Sequence, residues 1–208
     1  KTPSDGHLGI GHVRWATHGI PNIVNAHPHS SEIVSVVHNG IIENSDELKK
    51  NLESKGLSFK SQTDTEVITL LITEALKDNK PLESVFNTLK KLKGSFALGI
   101  IFKNYKNIII GARRGSPLAV GYSNKENYLG SDSYALKSMT NKISYLDDGD
   151  LCVLSKDKVE FYDVNKKKIN KKVYVLSDDK NINDKGDYKN FMSKEIFEQS
   201  TTAKTCIN

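Results

Sequence analysis

The sequence predicts an α+β layered domain, because short β-rich segments precede and follow a central block of three helical segments. The chain has 208 residues, which suits one large domain or at most two small ones. A hydrophobic fraction of 37% and a charged fraction of 26% are ordinary for a globular protein. No internal repeat or low-complexity linker interrupts the chain, and regular βαβ alternation is absent.

Two segments ahead of the helical block have β character. Residues 8–14 alternate well enough for a strand, and residues 33–38 are a second β-rich run. Asn39 and Gly40 then separate this run from the apolar residues 41–42, and Asn-Gly between two apolar runs is a strong hairpin signal. The sequence therefore predicts a tight turn at these two residues.

Three helices are predicted from their end signals. The first begins after an Asn44 cap and stops at Gly56. The second begins at Thr63, where TDTE has the spacing of a capping box ahead of an apolar run. The third begins with Pro81 and is closed by Gly94.

The second half of the chain has short apolar segments between polar turns, which predict strands. These strands are residues 95–102, 107–112, 118–122, 128–130, 150–155, 159–163 and 171–176. The last three are expected to form a terminal meander. Residues 133–139 predict a short helix, residues 178–187 a polar loop, and residues 188–199 a last amphipathic helix.

Charge and cysteine content narrow the function classes. The formal charge is +5, but the Lys residues are mixed with acidic ones and form no basic stripe, so no nucleic-acid partner is expected. Cys152 and Cys206 lie in no CxxC pair and fit a reducing compartment, so we expect a cytoplasmic protein. No run of eighteen apolar residues occurs, so no membrane association is expected.

Six histidines raise the question of a metal site. His27 and His29 lie two residues apart in NAHPHS, with no Cys or carboxylate near them at zinc spacing. HExxH, GxGxxG and GxxxxGK are all absent. We therefore expect no metal and no cofactor, and interpret these histidines as a loop with local hydrogen bonds.

Arg14 is the first candidate for a binding residue. The chain has 27 Lys and only three Arg, a bias that keeps Arg where a planar bidentate fork is needed. It lies in GHVRWATHG, next to Trp15, Thr17 and His18. This composition points to a site for a carboxylate.

Three further residues could complete this site, although each also has a purely structural interpretation. The Asn39 amide and the Gly40 N–H could donate to one anionic oxygen, or could only form the turn. Asp64 could accept from an ammonium group, or could only stabilise a helix N-terminus. Together with Arg14, they would suit a free amino acid that carries a side-chain carbonyl.

Seven motifs together resemble the glutaminase half of the glucosamine-6-phosphate synthase family, which belongs to the class II amidotransferases with an N-terminal nucleophile. In order they are GHVRWATHG, NAHPH, HNGIIEN, TDTEVI, GSFALGI, ARRGSPL and KEIFEQ. The resemblance implies a four-layer αββα sandwich lacking its first segment. It also implies a glutaminase domain over residues 1–190, the start of a linker over residues 191–208, and a homo-oligomeric parent enzyme.

The resemblance further implies that an N-terminal Cys hydrolyses the side-chain amide of glutamine. The ammonia would pass to fructose 6-phosphate in a sugar-isomerase domain and give glucosamine 6-phosphate. By resemblance, Asn39 and Gly40 form the oxyanion hole. Arg14 would hold the glutamine α-carboxylate, and Asp64 its α-amino group.

The remaining implied roles concern the segment around Arg14. By resemblance, Thr17 and His18 line the same pocket, and Trp15 gates the tunnel that carries ammonia. The chain departs from the family at its start, since it begins at Lys1, just ahead of RWATHG, without an N-terminal Cys. We therefore expect a piece truncated at both ends that is inactive alone.

Two alternatives stay open at this point. The chain could be the glutaminase part of another class II amidotransferase, such as the purine-pathway type. It could instead be a non-catalytic glutamine-binding module that has lost its nucleophile.

Overall fold

The computed structural model describes residues 6–176 and 185–207. The chain divides into two compact units, Lys1–Leu176 and Ser177–Asn208. The first unit contains, in chain order, β1 (His29–Ser30), β2 (Val34–Ile42), α1 (Ser45–Ser54), α2 (Asp64–Ala75), α3 (Pro81–Leu89), β3 (Gly94–Phe102), β4 (Tyr105–Arg114), β5 (Ala119–Tyr122), β6 (Asn127–Gly130), α4 (Ser133–Leu136), β7 (Lys142–Tyr145), β8 (Leu151–Leu154), β9 (Val159–Tyr162), β10 (Lys168–Ile169) and β11 (Tyr174–Val175).

The second unit contains α5 (Phe191–Ile207). The Tyr188 ring, just before this helix, stacks on Phe197 with 5.6 Å between the ring centroids. No helix in the described parts of the chain is long and apolar enough to cross a bilayer.

The strands form two antiparallel sheets. The larger sheet has seven strands in the order β1-β2-β3-β4-β8-β9-β10, and the smaller has four in the order β11-β7-β5-β6. Residues alternate between two hydrophobic cores along the central strand β3. Phe96 and Leu98 pack with the helices α1–α3, whereas Ala97 packs with residues of the smaller sheet, such as Val120. The helices therefore cover one face of the larger sheet, and the smaller sheet covers the other.

The far face of the smaller sheet carries a third, small core. Leu136 of α4 packs there with Ala119 and Ile143, and all three side chains are fully buried. The observed α+β class agrees with the prediction, and α4 provides the cover on this side of the smaller sheet.

The predicted helices are confirmed, but the details of their ends differ. Asn44 is the N-cap of α1, yet its side chain donates to the Lys91 carbonyl and accepts from the Lys93 N–H. The capping box at Thr63 is wrong, because the Glu66 carboxylate accepts hydrogen bonds from Lys60 and Ser61 instead.

The third helix is shorter than predicted, since α3 ends at Leu89, five residues before Gly94. The last helix, α5, begins at Phe191 rather than at residue 188 and extends beyond residue 199. The predicted loop at 178–187 lies outside the described residues up to position 184, and residues 185–187 form coil and turn.

Two strand predictions near the N-terminus are wrong. Residues 8–14 have no regular secondary structure, and they pair with no strand in the described part of the chain. Asn39 and Gly40 form no hairpin, because β2 runs through them and pairs continuously with β3 from Val34 to Ile42. The Asn-Gly signal was overridden by this long-range pairing, which a local turn rule does not consider.

The strands of the second half agree with the prediction except for their arrangement. The terminal meander is wrong for its last member, because β8 and β9 extend the larger sheet whereas β11 pairs with β7 in the smaller one. The strands β1, β7 and β10 were not predicted. Two of them are only two residues long, which is too short for an alternation pattern to be visible.

Candidate active site

A cavity of about 350 Å³ lies between the irregular segment 12–18, the second half of β2 and the first turn of α2. All seven residues singled out from the sequence line it. They are Arg14, Trp15, Thr17, His18, Asn39, Gly40 and Asp64. The fold thus brings together three segments that are up to fifty residues apart in the chain.

Gly40 lets β2 approach β3 closely beside the cavity. Its φ is +129°, and a Cβ atom built there would lie 2.2 Å from the Ser95 carbonyl oxygen and 3.0 Å from the Phe96 Cα. Because the obstacle is backbone, no side-chain rotation could relieve it. The glycine is therefore required by the sheet itself and not by a turn.

Asn39 lies on β2 with its side chain exposed toward the cavity. Its Oδ1 is 2.6 Å from Nε2 of His12, in the segment 12–18. An amide oxygen has lone pairs and no proton, so in this arrangement the imidazole is the donor. The Asn39 NH₂ group is then left to donate elsewhere.

Asp64 is the first residue of α2 and is only 6% exposed. Its Oδ2 accepts a hydrogen bond of 2.8 Å from the Ile42 N–H, which joins α2 to the end of β2. The same oxygen lies 4.0 Å from Nδ1 of His38. The helix N-terminus favours a charged carboxylate at this position.

Arg14 binds the backbone of its own loop in this structure. Its guanidinium donates to the carbonyls of His18, Gly19 and Ile20, with N–O distances of 3.2 Å to Gly19 and 3.1 Å to Ile20. The side chain thereby folds residues 14–20 into a compact loop at the edge of the cavity.

The other two arginines also hold backbone carbonyls. Arg113 donates to Ser116 and Leu146, and Arg114 donates to Leu92 at 2.8 Å. The few Arg residues of this chain therefore include two with a structural role, Arg113 and Arg114, as well as the candidate binding residue Arg14.

The remaining residues of the arginine loop lie at the mouth of the cavity. The Thr17 hydroxyl and Nδ1 of His18 are 3.3 Å apart. Trp15 is 88% exposed, and its ring is free to contact a ligand or another part of a protein. This exposed rim leaves the cavity open on one side.

Two amide side chains that were not identified from the sequence tie residues 14–20 to the segment just before α2. Asn25 is 1% exposed, donates to the Ile20 carbonyl at 3.0 Å, and accepts from the Gln62 N–H at 2.9 Å. The partners are 37 residues apart, so no local signal could have identified them. The clamp fixes the arginine loop relative to Asp64.

Four histidines lie together at the cavity, and three of them, His12, His27 and His38, line it. From the sequence, only His27 and His29 were interpreted together, as a loop. The ring of His27 lies 4.3 Å from His12 and 5.0 Å from His29, centroid to centroid. His27 and His38 both share a hydrogen bond of 3.0 Å with the Thr65 hydroxyl. Burial, with smaller contributions from neighbouring positive groups, lowers the pKa of His27 to about 3.

Burial favours the neutral form of three of these rings, those of His27, His29 and His38. Burial also lowers the pKa values of His29 and His38, although the Asp64 carboxylate opposes the shift at His38. Across the described residues, no group of three or more His, Cys, Asp or Glu side chains is arranged to hold a metal ion. His27 and His38 instead share the Thr65 hydroxyl, and His29 is bonded to the Thr63 hydroxyl. His12 is bonded to the side chain of Asn39.

Cys152 lies outside the set of residues that line the cavity. It is fully buried between the two sheets on β8, and desolvation raises the pKa of its thiol to about 12. A thiol that stays protonated and enclosed is a poor nucleophile. Cysteine is absent from the residues that line the cavity.

The sequence is similar to known glutamine amidotransferases. A profile of the glutamine amidotransferase domain matches residues 23–138, more than half of the chain. The glutamine–fructose-6-phosphate aminotransferase (isomerizing) of Zymomonas mobilis is 50% identical over 198 residues, which are 95% of this chain and 33% of that protein. The protein of the same name from Mesorhizobium japonicum is 50% identical over 200 residues, with 96% and 33% covered. The chain thus spans about a third of the length of these curated relatives.

Two solved structures share the fold. Glutamine phosphoribosylpyrophosphate amidotransferase from B. subtilis, complexed with ADP and GMP, gives a TM-score of 0.62 at 25% identity over 74% of this chain and 34% of that chain. A structure of the allosteric regulatory enzyme of purine biosynthesis gives 0.61 at 26% identity, with the same coverage. By profile, sequence and fold, the chain belongs to the glutamine amidotransferase family, as a class II domain related to that of the glutamine–fructose-6-phosphate aminotransferases.

Proposed function

We propose that this domain is the glutaminase portion of a glutamine–fructose-6-phosphate aminotransferase, and that the cavity binds glutamine. The observation that carries the proposal is the meeting of a guanidinium, a buried carboxylate and an amide beside a strand N–H in one cavity of about 350 Å³. Free glutamine offers a matching carboxylate, ammonium group and side-chain carbonyl.

The two ends of the site would recognise the amino-acid backbone of the substrate. A carboxylate would compete with the loop carbonyls for the Arg14 guanidinium, and charge-assisted bidentate bonds are the stronger kind. Asp64 uses Oδ2 to accept from Ile42, and its second oxygen is the one we assign to the substrate ammonium. Thr17 and His18 would line the pocket between them.

The residues between these two ends would stabilise the tetrahedral intermediate of amide hydrolysis. A tetrahedral intermediate at the amide carbon carries its negative charge on the former carbonyl oxygen, and fixed N–H donors lower its free energy. The Asn39 NH₂ would be one donor and the Gly40 N–H the other. The Ile42 N–H points away from β3 to Asp64, and strand alternation places the Gly40 N–H on that same edge.

The attacking nucleophile is the part of the reaction that the described side chains do not supply. Cys152 is enclosed between the sheets, and the family resemblance assigns the attack to an N-terminal Cys, which is not among these 208 residues. We therefore propose that this polypeptide alone binds glutamine but does not hydrolyse it, because covalent amide hydrolysis needs an activated nucleophile.

The acceptor half of the reaction follows from the relatives. They are named glutamine–fructose-6-phosphate aminotransferases and are about three times as long as this chain. We propose that residues 1–190 deliver ammonia past Trp15 to fructose 6-phosphate in a sugar-isomerase domain, and that residues 191–208 begin the linker to it. We also propose that the complete domain has a four-layer αββα architecture and needs no metal or cofactor. The parent enzyme is proposed to be a cytoplasmic homo-oligomer.

An assay of the complete enzyme tests both glutamine hydrolysis and the transfer of ammonia to fructose 6-phosphate. Purified protein with glutamine and fructose 6-phosphate should form glucosamine 6-phosphate and glutamate in equal amounts. Formation of phosphoribosylamine from phosphoribosyl pyrophosphate instead would assign the domain to a purine-pathway amidotransferase. Absence of glutamate formation by the complete enzyme would contradict the glutaminase proposal, and normal turnover by the 208-residue chain would contradict the assignment of the nucleophile.

A further inference from the structure

We propose that His12 is a positioning residue, which holds the side chain of Asn39 so that its NH₂ group faces the developing oxyanion. The proposal rests on the oxyanion role of Asn39 given above, and it assigns His12 no contact with glutamine. Its basis is the hydrogen bond of 2.6 Å between His12 Nε2 and Asn39 Oδ1.

The direction of this bond decides what Asn39 offers to a substrate. When the Nε2–H of His12 donates to Oδ1, the oxygen of the amide is held on the imidazole side, and the NH₂ group occupies the opposite side. The reverse orientation would turn a carbonyl oxygen toward the site where negative charge must form. The hydrogen bond from His12 therefore determines whether Asn39 presents a favourable N–H donor or an unfavourable carbonyl oxygen to the oxyanion.

Asn39 needs such a restraint because little else fixes its amide. The terminal torsion of an Asn side chain is broad and nearly two-fold, so its oxygen and nitrogen exchange places easily. The side chain is exposed, and within the described segments His12 is its one hydrogen-bond partner. Loss of that bond would therefore leave both orientations of the amide accessible.

His12 is itself held from behind. Its ring packs on His27, with 4.3 Å between centroids and a tilt of 42°. His27 is bonded to the Thr65 hydroxyl in the first turn of α2, one residue from Asp64. Because burial lowers the pKa of His27 to about 3, this supporting ring stays neutral and does not repel its neighbour.

The same contacts favour the tautomer of His12 that carries its proton on Nε2. Nδ1 of His12 is buried without a partner in the described residues, whereas Nε2 faces Asn39. A donor is needed only at Nε2, so an amide at the same place could replace the imidazole. The side chain of Gln places its NH₂ close to the position of Nε2, whereas Leu fills similar space with no donor.

The experiment is steady-state kinetics of glutamine hydrolysis by the complete enzyme, with its own nucleophile. The variants are His12→Leu, His12→Gln, Asn39→Ala and the double variant His12→Leu/Asn39→Ala. His7→Gln is the matched control, since His7 is an exposed histidine outside the cavity lining. Far-UV circular dichroism and thermal melting of each variant report folding.

We expect His12→Leu to lower kcat about tenfold with KM changed less than twofold, and His12→Gln to recover most of kcat. The expected loss lies below the 10²–10³-fold that removal of a whole oxyanion donor costs. In the Asn39→Ala background, His12→Leu should have almost no further effect on kcat, because its action passes through the missing amide. A merely structural role would instead give the same loss in both backgrounds.

The outcomes distinguish the oxyanion role of Asn39 from the positioning role of His12. If Asn39→Ala leaves kcat unchanged, the oxyanion role of Asn39 is wrong and the proposed function loses its support there. If Asn39→Ala lowers kcat but His12→Leu has no effect, or an effect of the same size in both backgrounds, only the positioning role is overturned. A loss that His12→Gln does not recover would also contradict it.

Discussion

The replacement of Gly40 by Ala gives the sharpest test of how β2 and β3 meet beside the cavity. An alanine at this position would place its Cβ 2.2 Å from the Ser95 carbonyl oxygen and 2.8 Å from the Ser95 carbonyl carbon. The φ of +129° is also one that an L side chain rarely adopts. Two separate costs therefore act against Gly40→Ala.

Each cost has a known size. A non-glycine residue held in a sparsely populated backbone region costs about 1–3 kcal/mol. Displacing packed neighbours to admit an extra methyl group costs a further 1–3 kcal/mol or so. Since the obstacle is the central pair of the larger sheet, we expect Gly40→Ala to lower the free energy of unfolding by about 4 kcal/mol.

The matched control is Gly56→Ala. Gly56 has a φ of +85° at the end of α1, but nothing lies within 4 Å of its added Cβ. It carries only the backbone cost, which is about 1–2 kcal/mol for the left-handed region. Urea denaturation followed by far-UV circular dichroism compares the two variants with the parent chain. A difference of less than about 1 kcal/mol between them would refute the close approach described here.

Three further predictions concern the site. In the complete enzyme, Arg14→Lys should raise KM for glutamine about 30-fold with little change in kcat, because about 2 kcal/mol of bidentate charge-assisted binding is lost; an unchanged KM would restrict Arg14 to its loop carbonyls. Asn39→Asp should lower kcat more than 10²-fold with a small change in KM, since a donor becomes a negative charge; a kcat within a fewfold of the parent would contradict this. The pKa of His27 is about 3 when folded and near 6.5 when unfolded, so its contribution to stability is present above pH 6.5 and is lost as pH falls toward 3. Urea titrations of the 208-residue chain across this range should show a smaller decline for His27→Gln than for the parent, and equal declines would exclude His27 as the cause.

The family relationship could be predicted from the sequence because its motifs are local strings. The residues Arg14, Asn39 and Asp64 were assigned from side-chain chemistry alone, and the structure brings all three to one cavity. The supporting residues His12 and Asn25 were missed, because their partners Asn39 and Gln62 are 27 and 37 residues away.

The sequence by itself determined the α+β class and the beginnings of α1, α2 and α3. Asn44, Thr63 and Pro81 marked the three starts correctly, because residues of these types are common at the first positions of helices. The side chains of Asn44 and Thr63 nevertheless form no cap hydrogen bond. The strands β3 and β4 were equally visible, since their apolar residues are continuous enough to be buried on both faces.

Only the tertiary structure decided what the Asn-Gly pair and the histidines do. The local turn rule predicted a hairpin at Asn39–Gly40, and pairing of β2 with β3 makes a continuous strand there instead. The same pairing places His38 beside the first turn of α2, where it meets Thr65. Strand pairing and side-chain networks join residues that are distant in the chain, so their free energy depends on contacts that no short stretch of sequence contains.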